Sequence, residues 1–211
     1  MIARELLARP ALDLAPRLLG AVLVSTVGGA EVALRLTEVE AYEGSDDPAS
    51  HAFRGPTPRT EVMFGPPGHL YCYFTYGMHW CANIVCAVEG RASAVLLRAG
   101  EVVRGSDIAW SRRPTVKSER ELARGPARLA NCLGLGAVHN GNDLCDPASP
   151  VRLESLPGRR AAGVQAGPRV GIATATDRPW RFWLPGEPTV SVFRPGGRAR
   201  VVADRQTDPR E

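Results

Sequence analysis

The sequence predicts a mixed α/β (α+β) single domain: a curved, largely antiparallel β-sheet flanked by helices, with one protruding β-hairpin. Three observations carry this expectation. Short alternating or β-branched runs recur along the chain. Helical patterns are few and brief. No composition break or linker divides the 211 residues, a length that suits one domain with a sizeable core.

Taken in order, residues 3–9 and 11–20 read as short helices, with Asp13 and Pro16 as start signals and Gly20 as a stop. AVLVSTV (21–27) reads as a strand, Gly28 and Gly29 as a turn, and EVALRLTEVEAY (31–42) as the returning strand. Alternation sets Val32, Leu34 and Leu36 on one face. Residues 43–68 are rich in proline and glycine and keep no stable period. A loop this long inside a compact domain is usually functional. HLYCYFTYGMHWCANIVCAV (69–88) predicts two strands around a turn near Tyr76 and Gly77, and SAVLLRA (93–99) another strand. Residues 105–124 are polar and basic, helical at the ends around a disordered middle. GPARLANCLGL (125–135) predicts a helix with Pro126 in its first turn. PVRLESL, PRVGIAT, RFWLPG and TVSVF predict four short strands, and after Arg194 a Gly- and Arg-rich tail reads as loose.

Composition excludes more than it proves. An apolar share of 44% is ordinary for a globular chain, and no apolar stretch is long enough to span a bilayer. The N-terminus carries charges and prolines and lacks the apolar core of a signal peptide, so a cytoplasmic protein is expected. The five cysteines are odd in number and form no C-x-x-C pair, so a disulfide framework or metal site is not expected. Cys72, Cys81 and Cys86 lie among apolar residues and read as core thiols. A net charge of +4 is compatible with a polyanionic partner. Nearly all of the positive charge is arginine, with Lys117 the sole lysine. The common phosphate-binding, hydrolase and metalloprotease motifs are absent, and no cofactor is expected.

Some residues stand out as candidates for chemistry. Glu38, Glu40 and Tyr42 share a face if alternation continues, just ahead of the long loop. On periodicity alone this is a solvated face; the alternative is a strand delivering a carboxylate and a ring to a cleft. The four tyrosines, Tyr42, Tyr71, Tyr73 and Tyr76, fall within one stretch of the chain. Tyr71 and Tyr73 suit a core, but an aromatic at a hairpin tip, as at Tyr76, has little core to enter and can act as a wedge or stacking surface for bases. His51 follows Asp46, Asp47 and Ser50, which are able to fix its orientation. Asn83 and Arg98 interrupt apolar strands and need partners or a cavity. For Arg98 the plain reading is a buried ion pair with a carboxylate, and the functional reading uses the same geometry with Glu40 as that carboxylate.

Together these residues identify a resemblance. TEVEAYEGSDDPASHAFRGPTPRTEVMFGPPGHLYCYFTYGMHWCANIV, followed by AVLLRA, ARGPARLANCLG, PRVGIA and RFWLPG, resembles the alkyladenine (3-methyladenine or methylpurine) DNA glycosylases over nearly the whole chain. The resemblance implies that Glu40 is the general base for a water attacking the anomeric carbon. It implies that Arg98 helps hold Glu40 and the water, and that the backbone carbonyl of Val170 is a third contact to the water. It implies that Tyr42, His51 and Tyr73 stack on the flipped base, and that Asn83 contacts purines and disfavours normal guanine. Tyr76 matches the wedge, and Thr57, Arg59 and Met63 match loop residues near DNA. The implied partner is double-stranded DNA containing alkylated or deaminated purines, acted on by a monomer without metal or cofactor. The pattern departs at His79, where a tyrosine is familiar, and in the arginine-rich segment 105–124. A non-catalytic lesion-binding protein on the same scaffold is the alternative; a small-molecule transferase is a more distant one, since part of the fold resembles a formyltransferase domain.

Overall fold

Eight strands form a single sheet in the computed structural model, which describes residues 2–75, 77–155 and 161–196. In chain order they are β1 (Val22–Ser25), β2 (Val32–Tyr42), β3 (Leu70–Thr75), β4 (His79–Val85), β5 (Ala94–Arg104), β6 (Val151–Ser155), β7 (Gln165–Gly167) and β8 (Arg181–Trp183). Every pairing is antiparallel. The main order is β3-β4-β5-β2-β1-β6, with β8 joining β2 at Glu38–Glu40 and β7 joining β8. Three helices, α1 (Ala11–Leu18), α2 (Ser106–Arg112) and α3 (Pro126–Leu133), complete the α+β fold that the sequence predicts.

The helices cover one face. Leu14, Leu18, Leu129 and Leu133 are fully buried against Leu70, Ile84, Val95 and Leu97 of the sheet, in one main core. The start of α1 carries Asp13 in its first turn, as its sequence suggests, and is fixed further from outside the helix. Ser93 Oγ accepts the Ala11 N–H at 3.0 Å, Glu43 Oε1 accepts the Leu12 N–H at 3.0 Å, and Pro16 sits inside the helix. Those amides are among the four that a helix cannot satisfy itself.

β2 carries the decisive irregularity. Val32, Leu34 and Leu36 belong to the core, and unbroken alternation would point Glu38, Glu40 and Tyr42 the same way. Instead the β2–β5 register shifts between Leu36 and Glu38 and again between Glu38 and Val39, leaving Thr37 and Arg98 unpaired in the ladder. Beyond the bulge Val39 and Ala41 enter the core, so the even-numbered residues turn to the opposite face. A bulge inserts one residue and re-aims every side chain after it.

Most predicted elements occur, with shifts at their ends. Segment 105–124 is helical at Ser106–Arg112 and in a short 3-10 turn at Glu119–Glu121, and the intervening stretch is an ordered turn closed by Val116 N–H to Arg113 O. Two of the predicted C-terminal strands do not form. PRVGIAT lacks strand structure because its polar groups serve β2: the Val170 N–H and the Arg169 side chain both bond there. TVSVF is likewise irregular, with Thr189 Oγ1 2.8 Å from Thr37 Oγ1 and the Ser191 N–H on Glu38. β7 forms just before the first of these segments. No helix of the described residues is long and apolar enough to cross a membrane.

Candidate active site

The face of the sheet away from the main core holds a cleft of about 470 Å³. Tyr73 from β3, Asn83 from β4, Arg98 from β5 and Tyr42 from β2 line it, joined by His51 from the long loop and by Val170. The loop stands on its own small core of Ala52, Met63, Tyr71, Val85, Ala92 and Ala94. It can begin close to the sheet because of Gly44: with φ +54°, a Cβ there would lie 2.2 Å from the Ala92 carbonyl oxygen.

Glu40 lies fully buried beside this cleft. Its Oε1 accepts the Val170 N–H at 2.7 Å and lies 3.2 Å from Arg98 Nη1. Its Oε2 accepts the Tyr42 hydroxyl at 2.9 Å. Val170 thus reaches the carboxylate through its N–H, a contact distinct from the carbonyl-to-water one that the resemblance implies. Burial, then the Glu40 charge, raises the Tyr42 phenol well above its usual range and keeps it a hydrogen-bond donor.

The second carboxylate of the face does different work. Glu38 is fully buried too, and its Oε1 accepts Arg98 Nε at 2.9 Å, Arg181 Nε at 2.6 Å and Ser191 Oγ at 2.8 Å. Its Oε2 accepts the Ser191 N–H at 2.6 Å. Arg98 thus bridges two carboxylates: Glu38 fixes its Nε, and Nη1 is turned to Glu40. A solvated strand face, the reading from periodicity alone, does not hold, because β8 and the segment after it cover this part of β2.

The aromatic residues come together. His51 and Tyr73 meet edge to face with centroids 4.6 Å apart, and His51 Nδ1 is 3.2 Å from the Tyr71 hydroxyl. Ser50 and Asp47 do not orient His51; the Ser50 hydroxyl takes the Ala52 N–H, and Asp47 is bound to Arg169. Burial, and secondarily the Arg59 charge, lowers the His51 pKa from its ordinary value, which favours a neutral ring. Tyr71 is almost wholly buried and packs in the loop's small core, yet it lines the cleft together with the more open Tyr73. Asn83 Nδ2 donates to Tyr71 O at 3.0 Å, which fixes its amide in the cleft wall.

Other predicted positions differ in setting. Thr57 and Arg59 are exposed at the loop's outer turn, Thr57 bonded to Thr60 and the Arg59 guanidinium 5.4 Å over the Tyr73 ring. Met63 is only 2% exposed and packs in the loop's small core, so the reading of it as a DNA contact gives way to one in which it supports the cleft wall. Tyr76 lies outside the described residues. Among the described residues no cluster of metal-ligating side chains occurs, and all five cysteines are free.

One buried assembly is almost invisible in the sequence pattern. Arg169 bonds Asp47 through both terminal nitrogens and also donates to Ala41 O at 2.9 Å. Its guanidinium lies 4.5 Å over the Tyr42 ring and 5.0 Å from Trp180. A loop aspartate and an arginine far along the chain carry no periodic signal. Only the polar residues inside an apolar-looking PRVGIA segment hinted at it.

Known proteins resemble this chain over most of its length. The model of the methylpurine-DNA glycosylase family matches residues 5–188. A protein of Streptomyces avermitilis is 52% identical over 195 residues, covering 92% of each chain. One of Frankia casuarinae is 52% identical over 201 residues, covering 91% of this chain and 92% of its own. One of Mycobacterium bovis is 47% identical over 204 residues, covering 94% and 97%. All three bear the name "Putative 3-methyladenine DNA glycosylase". With the match extending through β2, the long loop, the hairpin and the Val170 segment, this chain belongs to the methylpurine-DNA glycosylase family.

Proposed function

We propose that this protein is a monofunctional DNA glycosylase that removes alkylated purines, 3-methyladenine and 7-methylguanine first among them, from duplex DNA, and so initiates base excision repair. Hypoxanthine and ethenoadenine are further candidate substrates. The observation that carries the reading is Glu40, a buried carboxylate held by Arg98, Tyr42 and Val170 beside a cleft walled by aromatic rings.

A duplex hides the glycosidic bond, so the nucleotide rotates out at a cost of a few kcal/mol. Tyr42, His51 and Tyr73 offer the ring faces that receive the base, and Tyr76 fills the gap it leaves. Alkylation at N3 or N7 makes the purine cationic, and aromatic faces hold a desolvated cation with up to about 2 kcal/mol. A neutral His51 adds no opposing charge.

A carboxylate has four acceptor positions. The Val170 N–H bonds Oε1, which Arg98 also approaches as an ion pair, while Tyr42 takes one position on Oε2, leaving the second for a water. Glu40 removes a proton from that water, and the water oxygen bonds to the anomeric carbon. The carbon–nitrogen bond breaks, and its electron pair neutralises the departing cationic purine. Among the described residues no lysine lines the cleft, which supports hydrolysis without a Schiff-base lyase step.

The test is chromatography of the products from methylated duplex. Free 3-methyladenine with an unbroken abasic strand supports the reading. Strand cleavage by the enzyme would contradict the monofunctional assignment, and no base release would contradict the activity.

A further inference from the structure

We propose that Arg169, held by Asp47, is a positioning residue that sets the stacking platform and the general base with one guanidinium. The inference rests on the function proposed above. Neither residue lines the cleft; the pair lies behind it, Arg169 being 1% exposed and Asp47 fully buried.

The argument starts from what Arg169 touches. Its fork grips both oxygens of Asp47, which sits in the loop just after Gly44. One of the same nitrogens donates to the carbonyl of Ala41, the residue between Glu40 and Tyr42 on β2. Its flat face lies between Tyr42 and Trp180, 4.5 and 5.0 Å from the two rings. Trp180 is tied to the same point of β2, its carbonyl accepting the Ala41 N–H at 2.8 Å. The next residue in the chain, Val170, supplies the N–H that Glu40 Oε1 accepts. A shift of Arg169 therefore moves the back of the Tyr42 ring and the donor on Glu40 together.

The chemistry of the pair suits such a role. A guanidinium presents a rigid planar fork and a stacking face, and an ammonium presents neither. Asp47 offsets the Arg169 charge behind the Tyr42 ring, while the more open Arg178, 4.0 Å from the same carboxylate, stacks on Trp180. Side chains that act on a reaction through others must be locked by packing and hydrogen bonds, and this pair supplies both.

Two full-length variants test the proposal. Arg169→Lys keeps the charge and loses the fork and the stacking face. The double variant D47N/R169Q removes both charges and keeps hydrogen-bonding groups, and it decides the matter if the lysine variant does not fold. Ser25→Ala is the comparator: it deletes a buried hydrogen bond to Leu133 O, 2.7 Å long and outside the cleft. In single-turnover excision of 7-methylguanine, the Arg169 variants are expected to slow per folded molecule by roughly tenfold or more, the factor carried by one charge-assisted hydrogen bond. Their preference for an abasic-analogue duplex over undamaged duplex falls in parallel, while affinity for undamaged duplex and the comparator's rate stay at the wild-type level. Folded Arg169 variants with wild-type rate and wild-type preference would overturn the proposal. If the wild type releases no base, the proposed function fails on its own, and the binding preference still judges the pair: a loss supports positioning, and no change refutes it.

Discussion

Glu38 and Glu40 sit two residues apart on one strand, equally buried, and their glutamine variants should part company. In Glu38→Gln the amide can present an oxygen to the two arginines, but its NH2 then faces the Ser191 N–H, donor against donor. Flipping the amide opposes donors to Arg98 and Arg181 instead. Either way the buried guanidinium groups lose the charge that compensates them, although Arg98 keeps Glu40 and Arg181 keeps Ser191 O. Breaking a buried pair from one side costs about 3–5 kcal/mol. At roughly 2–4 °C per kcal/mol for a chain of this size, the melting temperature should fall by about 6–20 °C. Glu40→Gln is milder: its amide oxygen can keep the Val170 N–H, the Tyr42 hydroxyl can accept from its NH2, and only Arg98 loses a charge, a cost on the order of 1–2 kcal/mol. Calorimetric melting of the two variants beside the wild type measures the difference. An unchanged melting temperature for Glu38→Gln, or a larger drop for Glu40→Gln, would refute this division of labour.

Further outcomes follow from the same contacts. His51 has a lowered pKa in the folded protein, so below the unfolded value of about 6.5 the unfolded chain binds a proton that the native site resists, and native stability falls with pH through that window. Lesion affinity should fall as His51 becomes cationic at still lower pH; titration of binding to 7-methylguanine duplex should show this for wild type and not for His51→Gln. Tyr42→Phe keeps the ring but strips Glu40 Oε2 of its donor, which should lower stability by about 1.5–3 kcal/mol in urea unfolding. Unchanged stability would mean the hydroxyl bond contributes nothing. Glu43→Ala removes the acceptor of the Leu12 N–H and of the Ser93 hydroxyl, and should destabilise α1 by about 1–3 kcal/mol. Amide exchange at Leu12 and its neighbours would reveal that loss, and unaltered protection would contradict it.

Much of this arrangement was legible in the sequence, and what escaped it has a physical pattern. β2, the hairpin strands β3 and β4, and β5 announce themselves by local alternation or apolar runs, which depend only on neighbours. Helix α3 does so through Pro126 in its first turn. The Thr37 bulge does not, because it is a property of the β2–β5 pairing and not of β2 alone. Without it, Glu40 would point into the core. PRVGIAT and TVSVF read as strands by composition, yet their amides are spent on Glu40 and Glu38. Long-range polar contacts override local propensity there. Glu40, Tyr42 and Arg98 are candidate site residues through a resemblance that spans their motifs; their mutual distances are not legible in the sequence. Asp47 and Arg169 are separated by most of the chain, and only the fold unites them.

The most direct test of the central claim is single-turnover release of 3-methyladenine by wild type and by Glu40→Gln, with binding to an abasic-analogue duplex measured in parallel. With Glu40 as the base, the variant should bind as the wild type does and excise slower by a factor of about 10²–10⁴, the contribution of general base catalysis. Excision by Glu40→Gln at the wild-type rate would contradict the account.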